Sequence, residues 1–250
     1  MSFCFTKHKK DPRKRVEMDK DEEGYCIVTE RFVREVCAEN NQYENPVLNN
    51  TLYLHFKGFR KLAGLENYTN LKSIWLESNG LREIGGLENQ HKLKMLYLHQ
   101  NALQKIENLN HLSQLCVLNL SNNCITKIEN LGGLVMLENL EISHNWIPDT
   151  ASCEGLLELP ALRTLDLKDN KITDAENVLS FFSQLKTIST LYLKGNPAVR
   201  SISQYRKTLT AHLKNLCYLD ERPIFELERL AADAFVRGGR EEEKRVREEY

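Results

Sequence analysis

The stretch Leu93-Lys94-Met95-Leu96-Tyr97-Leu98-His99-Gln100-Asn101 is followed, 22 positions later, by Leu115-Cys116-Val117-Leu118-Asn119-Leu120-Ser121-Asn122-Asn123. Both carry one frame, Leu-x-x-Leu-x-Leu-x-x-Asn, and a fixed period of this length marks an array of stacked units. Working outward, the frame recurs as Leu71-x-x-Ile74-x-Leu76-x-x-Asn79 before it and Leu137-x-x-Leu140-x-Ile142-x-x-Asn145 after it. Two longer units end at Asn170 and Asn196, after intervals of 25 and 26 residues. Counting back, Leu52 and Leu54 fit an edge unit in which Lys57 stands where asparagine belongs. Such a departure is expected where a stack has no further neighbour to bond.

Alternation in each x-Leu-x-Leu-x segment predicts a short parallel strand, leucines inward and x residues outward. The tails Ile106-x-x-Leu109-x-x-Leu112 and Ile128-x-x-Leu131-x-x-Leu134 step by three, which suits a 3₁₀ or helical turn on the opposite side. The inserts around Asp149 to Leu159 and Asp174 to Leu185 are long enough for true helices there, and are expected to raise the curvature at that end. An asparagine amide offers both donors and acceptor lone pairs to a bent backbone. Asn79, Asn101, Asn123, Asn145, Asn170 and Asn196 are therefore expected to form a structural ladder. The frame resembles the leucine-rich-repeat signature. The fold class expected is an α/β solenoid, with a curved parallel sheet on the concave face, 3₁₀ or helical turns on the convex face, and helical caps.

The expected organisation runs from a charged, disordered leader (1–24) to an N-terminal capping helix (25–47). About seven repeats (48–200), a C-terminal cap (201–225) and a charged helical tail (226–250) follow. In the capping helix Thr29 suits the N-cap and Phe32, Val33, Val36 and Cys37 share one stripe. The tail is interrupted by Gly238-Gly239 and reads as a solvated helix, with Glu241/Arg245 and Glu243/Arg247 at helical spacing.

Lysines and arginines (34) almost balance aspartates and glutamates (35), for a formal net charge of -1. That argues against direct nucleic-acid binding, which rests on excess positive charge. The first fifteen residues are basic (Lys7, Lys9, Lys10, Arg13, Lys14, Arg15) without interleaved aromatics. Seven cysteines follow no apolar signal-like run, and no stretch of about 18 apolar residues is present. The reading is a cytosolic or nuclear chain with reduced thiols, off the membrane, and a monomeric solenoid is expected.

No phosphate loop, dinucleotide fingerprint, zinc-protease helix or nucleophile elbow occurs, so the chain is expected to be no enzyme and to need no cofactor. His55, Glu77 and His99 share one outward position in successive repeats. Strands about 4.8 Å apart place the two histidines roughly 10 Å from each other, too far for a zinc ion with bonds of about 2.0–2.1 Å. No metal is expected, and a hydrogen-bonded, pH-sensitive polar ladder is the better reading. The central outward position reads Tyr53, Trp75, Tyr97, Asn119, Glu141, Asp166 and Tyr192. The leucines already account for the core, so three adjacent exposed aromatics with Met95 beside them form a candidate interaction patch. The acidic stretch from Glu141 to Asp166 favours a partner with a basic segment.

The Ile-Glu-Asn-Leu tails (106–109 and 128–131) are similar to the repeat subclass of the type-1 phosphatase regulator and the outer-arm dynein light chain. Leu52-Tyr-Leu-His-Phe-Lys-Gly-Phe59, Trp75-Leu-Glu-Ser-Asn79, Tyr218-Leu-Asp-Glu-Arg-Pro-Ile-Phe225 and Ala234-Phe-Val-Arg-Gly-Gly239 resemble the axonemal dynein assembly factor 1 family. The resemblance covers residues 25–250. It implies a non-catalytic factor for preassembly of dynein arms in the cytoplasm of ciliated or flagellated cells. Its partners would be axonemal dynein chains or their assembly intermediates, with localisation extending to the cilium or axoneme. Two other readings stay open: a phosphatase regulator using the same face, and a ribonucleoprotein component like the spliceosomal A-prime protein.

Overall fold

The computed structural model describes residues 19–250 except 21 and 23, so the leader expected over 1–24 lies almost wholly outside the described residues. Helix α1 (Glu30–Glu39) comes first. The Thr29 hydroxyl accepts from the Phe32 N–H at 3.3 Å, satisfying one of the orphan donors at a helix start. Phe32, Val33, Val36 and Cys37 are buried and cover the open end of the first coil. A 3₁₀ turn (Pro46–Leu48) then leads into the sheet.

The strands are β1 (Thr51–Tyr53), β2 (Ser73–Trp75), β3 (Met95–Tyr97), β4 (Val117–Asn119), β5 (Asn139–Glu141), β6 (Thr164–Asp166), β7 (Thr190–Tyr192) and β8 (Tyr218–Leu219), paired in chain order and parallel throughout. Register places Leu52, Ile74, Leu96, Leu118, Leu140, Leu165, Leu191 and Leu219 side by side, each fully buried. Burying one such side chain is worth about 1.5–3 kcal/mol. A one-residue slip would turn the whole row to solvent, which is why the strand frame stays constant while the intervals between strands lengthen. Strand β9 (Arg222–Pro223) departs from the all-parallel expectation, pairing antiparallel with β8. Only Asp220 and Glu221 separate the two, enough for a hairpin but not for a parallel crossover.

On the convex side, Leu112 N–H reaches Leu109 O and Leu115 N–H reaches Leu112 O, both at 2.9 Å, single 3₁₀ turns. Of the two inserts expected to be true helices, the second is α2 (Ala175–Phe182). The first is a 3₁₀ helix over Ala151–Glu158. There the preceding turn competes for the backbone: Ile128 N–H donates to Ser152 O at 2.8 Å, and Gly155 N–H donates to Ile128 O at 3.2 Å. The approach is so close that a Cβ at Gly155 would lie 2.5 Å from Ile128 O.

Helices α3 (Pro197–Ser201), α4 (Tyr205–His212) and α5 (Glu226–Glu249) close the far end. The Arg206 guanidinium donates to Leu219 O at 2.9 Å, Pro223 O at 2.8 Å and Glu228 Oε2 at 3.1 Å. Arg229 donates to Thr210 O at 2.8 Å and to Leu216 O. These charged forks satisfy carbonyls that no further repeat is there to bond. The charged tail is a largely exposed helix, as expected, with one residue turned inward. Helix α5 breaks at Gly238 and Gly239 (φ 71° at the second), and Glu243 beyond the break is buried, paired with Lys207 of α4 at 2.7 Å. Arg247 binds Glu243 at 3.1 Å as the spacing suggested. Arg245 instead pairs with Glu242 at 2.7 Å and Glu249 at 3.7 Å, not with Glu241. All six cysteines among the described residues are free thiols.

Candidate functional site

The asparagines that close each strand bind in one pattern. The Nδ2 of Asn79, Asn101, Asn123, Asn145, Asn170 and Asn196 donates to the carbonyl of its own repeat (Leu76, Leu98, Leu120, Ile142, Leu167 and Leu193) and to the equivalent carbonyl one repeat earlier. Each Oδ1 accepts a backbone N–H of the previous repeat, from Lys57 and Gly58, Leu81, Leu103, Ile125, Ile147 and Ile172 respectively. The residue just before this position turns left-handed in successive repeats. Phe56, Ser78, Gln100, Asn122, His144 and Asp169 have φ between 53° and 56°. The ladder fixes the direction of every strand and so the alignment of what the strands point outward.

Three columns of side chains cross that outward face. The central one holds Tyr53, Trp75, Tyr97, Asn119, Glu141, Asp166 and Tyr192, in register from strand to strand. Trp75 and Tyr97 stack at 4.0 Å with 17° between their planes, and Tyr53 lies 6.3 Å from Trp75 at 29°. Stacking changes the expectation of three exposed aromatics: Tyr53 is 39% exposed and Met95 37%, but Trp75 and Tyr97 are half-buried because each covers the other. The Tyr97 hydroxyl donates to Met95 Sδ at 3.8 Å. Its pKa is raised by burial, then by the nearby Glu141 and Glu77 carboxylates.

In the next column His55, Glu77 and His99 do stand side by side, held by Phe56 N–H to Glu77 O and Ser78 N–H to His99 O, each 3.1 Å. They do not form the hydrogen-bonded ladder expected. His55 Nδ1 is 3.7 Å from Glu77 Oε1, a charge contact too long for a hydrogen bond. Glu77 Oε2 and His99 Nδ1 have no hydrogen-bond partner. The strand spacing itself is not the obstacle, since Asn119 and Glu141 bond across the same interval; the side-chain rotamers are. Among the described residues no cluster of three or more His, Cys, Asp or Glu side chains is placed to hold a metal ion.

Beyond Tyr97 the central column turns polar. Asn119 Nδ2 donates to Glu141 Oε2 at 2.5 Å, and Asn119 Oδ1 accepts from Ser121 N–H at 3.0 Å. Burial, and then the adjacent Asp166, push the Glu141 carboxyl upward from its usual range. Asp166 is paired with Lys168 at 3.5 Å, and Lys168 also lies 4.9 Å above the Tyr192 ring. Tyr192 stands 6.0 Å from Tyr218. The acidic stretch is thus uneven, with Asp166 neutralised by its neighbour and Glu141 left with an amide alone.

Sequence reasoning passed over several members of this surface. Phe56 is 72% exposed, and its ring meets His55 edge-on at 5.5 Å, extending the aromatic row to its outer lip. Tyr218 and Lys168 complete the opposite end. Their signal was present in the repeat frame, one column to either side of the central one. On the convex side Asn108 and Asn130 form a second amide ladder, to Ile84 O at 2.7 Å and Ile106 O at 2.8 Å. They too are left-handed, with φ of 58° and 59°.

The leucine-rich-repeat family model matches residues 103–248. The chain belongs to the leucine-rich-repeat family. Among curated relatives, it is 60% identical over 232 residues to the rat (Rattus norvegicus) protein named dynein axonemal assembly factor 1, a match covering 93% of this chain and 36% of that one. It is 53% identical over 222 residues to the leucine-rich repeat-containing protein ODA7 of Chlamydomonas reinhardtii, covering 89% of this chain and 51% of the relative. The chain thus spans between a third and about half the length of these relatives. Among solved structures, internalin C2 of Listeria monocytogenes superposes with a TM-score of 0.54 at 25% identity, over 75% of this chain and 91% of that one. This likeness concerns the leucine-rich-repeat fold. Among the described residues no helix is long and apolar enough to cross a membrane.

Proposed function

We propose that this leucine-rich-repeat solenoid is a non-catalytic docking scaffold that serves the assembly of axonemal dynein arms. It would act in the cytoplasm of ciliated or flagellated cells and bind dynein chains or their assembly intermediates through the outward strand face. The cargo is taken from the names of relatives at 53% and 60% identity. The surface is taken from one observation, the unbroken row of Tyr53, Trp75 and Tyr97 rings on the strand face. Aromatic groups left outside a core that is already filled by leucines are the usual anchors of protein interfaces.

The test is affinity purification from a flagellated cell with the chain as bait, scoring axonemal dynein heavy and intermediate chains. Trp75→Ala, with the fold checked by its melting transition, is expected to lower recovery of those chains by an amount equivalent to at least about 2 kcal/mol. Undiminished recovery by folded Trp75→Ala removes the strand face as the docking surface. Recovery of a type-1 phosphatase or of spliceosomal particles in place of dynein chains removes the proposed cargo.

A further inference from the structure

The central column of the strand face changes character at one place. Tyr53, Trp75 and Tyr97 stack on one another, so the last ring of the row keeps one face free, directed toward the next strand. The residue there is Asn119, smaller than the rings and tied down by its bond to Glu141. Strands are about 4.8 Å apart, so the backbones carrying Tyr97 and Glu141, two strands from each other, stand roughly 10 Å apart, and the short Asn119 between them leaves a slot that the Glu141 carboxylate, bonded to Asn119, borders on the far side. A planar group stacked on the free face of Tyr97 would fill that slot and meet the Glu141 carboxylate on its far side.

Glu141 sets a carboxylate at the slot, with Asp166 beside it and the Lys168 and His99 side chains near enough to act on it. Among the described residues Glu141 has no cationic partner within ion-pair distance, whereas its neighbour Asp166 is held by Lys168 at 3.5 Å. Guanidinium is the side-chain group that is planar, permanently charged and rich in donors, and it stacks on aromatic faces while pairing with carboxylates. An ammonium would satisfy the charge without the stack.

We propose that the slot over Asn119 receives an arginine side chain of the docked protein segment, stacked on Tyr97 and paired with Glu141. This rests on the reading of the strand face as a docking surface and adds the chemistry of its occupant.

The chain has two tryptophans, so Trp146→Phe leaves Trp75, in contact with Tyr97, as a lone fluorescent reporter. The probes are three blocked pentapeptides of sequence Gly-Ser-X-Ser-Gly, with X arginine, lysine or citrulline, the last isosteric with arginine but uncharged. Saturable change of Trp75 emission is expected with the arginine peptide, with binding at least about tenfold tighter than for citrulline and tighter than for lysine, as a stacked, charged pair requires. Glu141→Gln keeps the amide contact to Asn119 and is expected to bring arginine binding down to the citrulline level. Equal binding of arginine and citrulline peptides, absence of binding by all three, or full arginine binding by folded Glu141→Gln overturns the proposal. The peptide comparison leaves the protein untouched, so misfolding of a variant does not decide it. Failure here together with loss of dynein-chain recovery by Trp75→Ala would remove the arginine slot and leave the docking face standing.

Discussion

Replacing Asn123 by alanine removes one rung from the middle of the asparagine ladder, and the structure says which of its bonds matters. The Asn123 amide donates to Leu98 O at 3.1 Å, Leu120 O at 2.9 Å and Ser121 O at 3.3 Å. All three carbonyls keep another donor. Asn101 Nδ2 serves Leu98 O at 2.9 Å, Asn145 Nδ2 serves Leu120 O at 3.0 Å, and Gln100 N–H serves Ser121 O at 2.9 Å. The Leu103 N–H, which donates to Asn123 Oδ1 at 3.1 Å, loses its acceptor, and Leu103 is 0% exposed. The cost is therefore that of one orphaned buried donor, about 1–3 kcal/mol, rather than the sum of four hydrogen bonds. Asn79→Ala frees two donors, Lys57 N–H and Gly58 N–H, at half-buried and exposed residues where water replaces the amide, but it also takes the Asn79 donor from Leu54 O, bonded at 2.9 Å on a residue 0% exposed, so a loss of the same order, about 1–3 kcal/mol, is expected. Asn123→Asp keeps the acceptor for Leu103 but sets a carboxylate against three carbonyl oxygens, and is expected to cost more than alanine at neutral pH. Urea unfolding of the three variants beside the parent chain measures the order, provided the slopes agree. An unchanged midpoint for Asn123→Ala, or a smaller loss for Asn123→Asp than for Asn123→Ala, would refute the reasoning.

Two further outcomes follow from single residues. Phe56 holds a left-handed φ of 53° with its ring 72% exposed, a conformation that costs most side chains about 1–2 kcal/mol and asparagine much less. Phe56→Asn is expected to raise stability by about 1 kcal/mol while weakening partner capture; a lower denaturation midpoint would count against the strain argument. The raised carboxyl of Glu141 means that, between the unfolded value and the folded one, the native state holds the extra proton. Stability from this group thus rises as pH falls through that window, and above it the full penalty stands. Glu141→Gln is expected to be the more stable form at neutral pH, with the gap closing toward the ordinary carboxylate pKa. Melts across that range showing a constant gap would exclude the burial penalty.

The strand frame was legible because a period of 22 residues repeats one chemical requirement at each turn. Leu96 and Leu118 occupy the same place in the core, and Asn101 and Asn123 the same place at the edge. The α-helical expectation for Ala151–Glu158 failed because length alone suggested it, whereas the bonds between Ile128, Ser152 and Gly155 decided it. The solvated reading of the tail missed one residue, Glu243, for a similar reason. Glu243 looked like one of many surface charges until the break at Gly238 and Gly239 brought it against Lys207.

For the strand face, the sequence by itself determined which residues point outward and which are neighbours, since a two-residue alternation and a constant period leave no freedom in either. Tertiary structure decided how those neighbours meet. The rings of Trp75 and Tyr97 bury one another, His55 and Glu77 stop short of a hydrogen bond, and Lys168 neutralises Asp166 while leaving Glu141 without a cation. Register follows from spacing along the chain, but contact depends on rotamers, side-chain length and the approach of adjacent strands, and those are fixed only when the repeats are stacked.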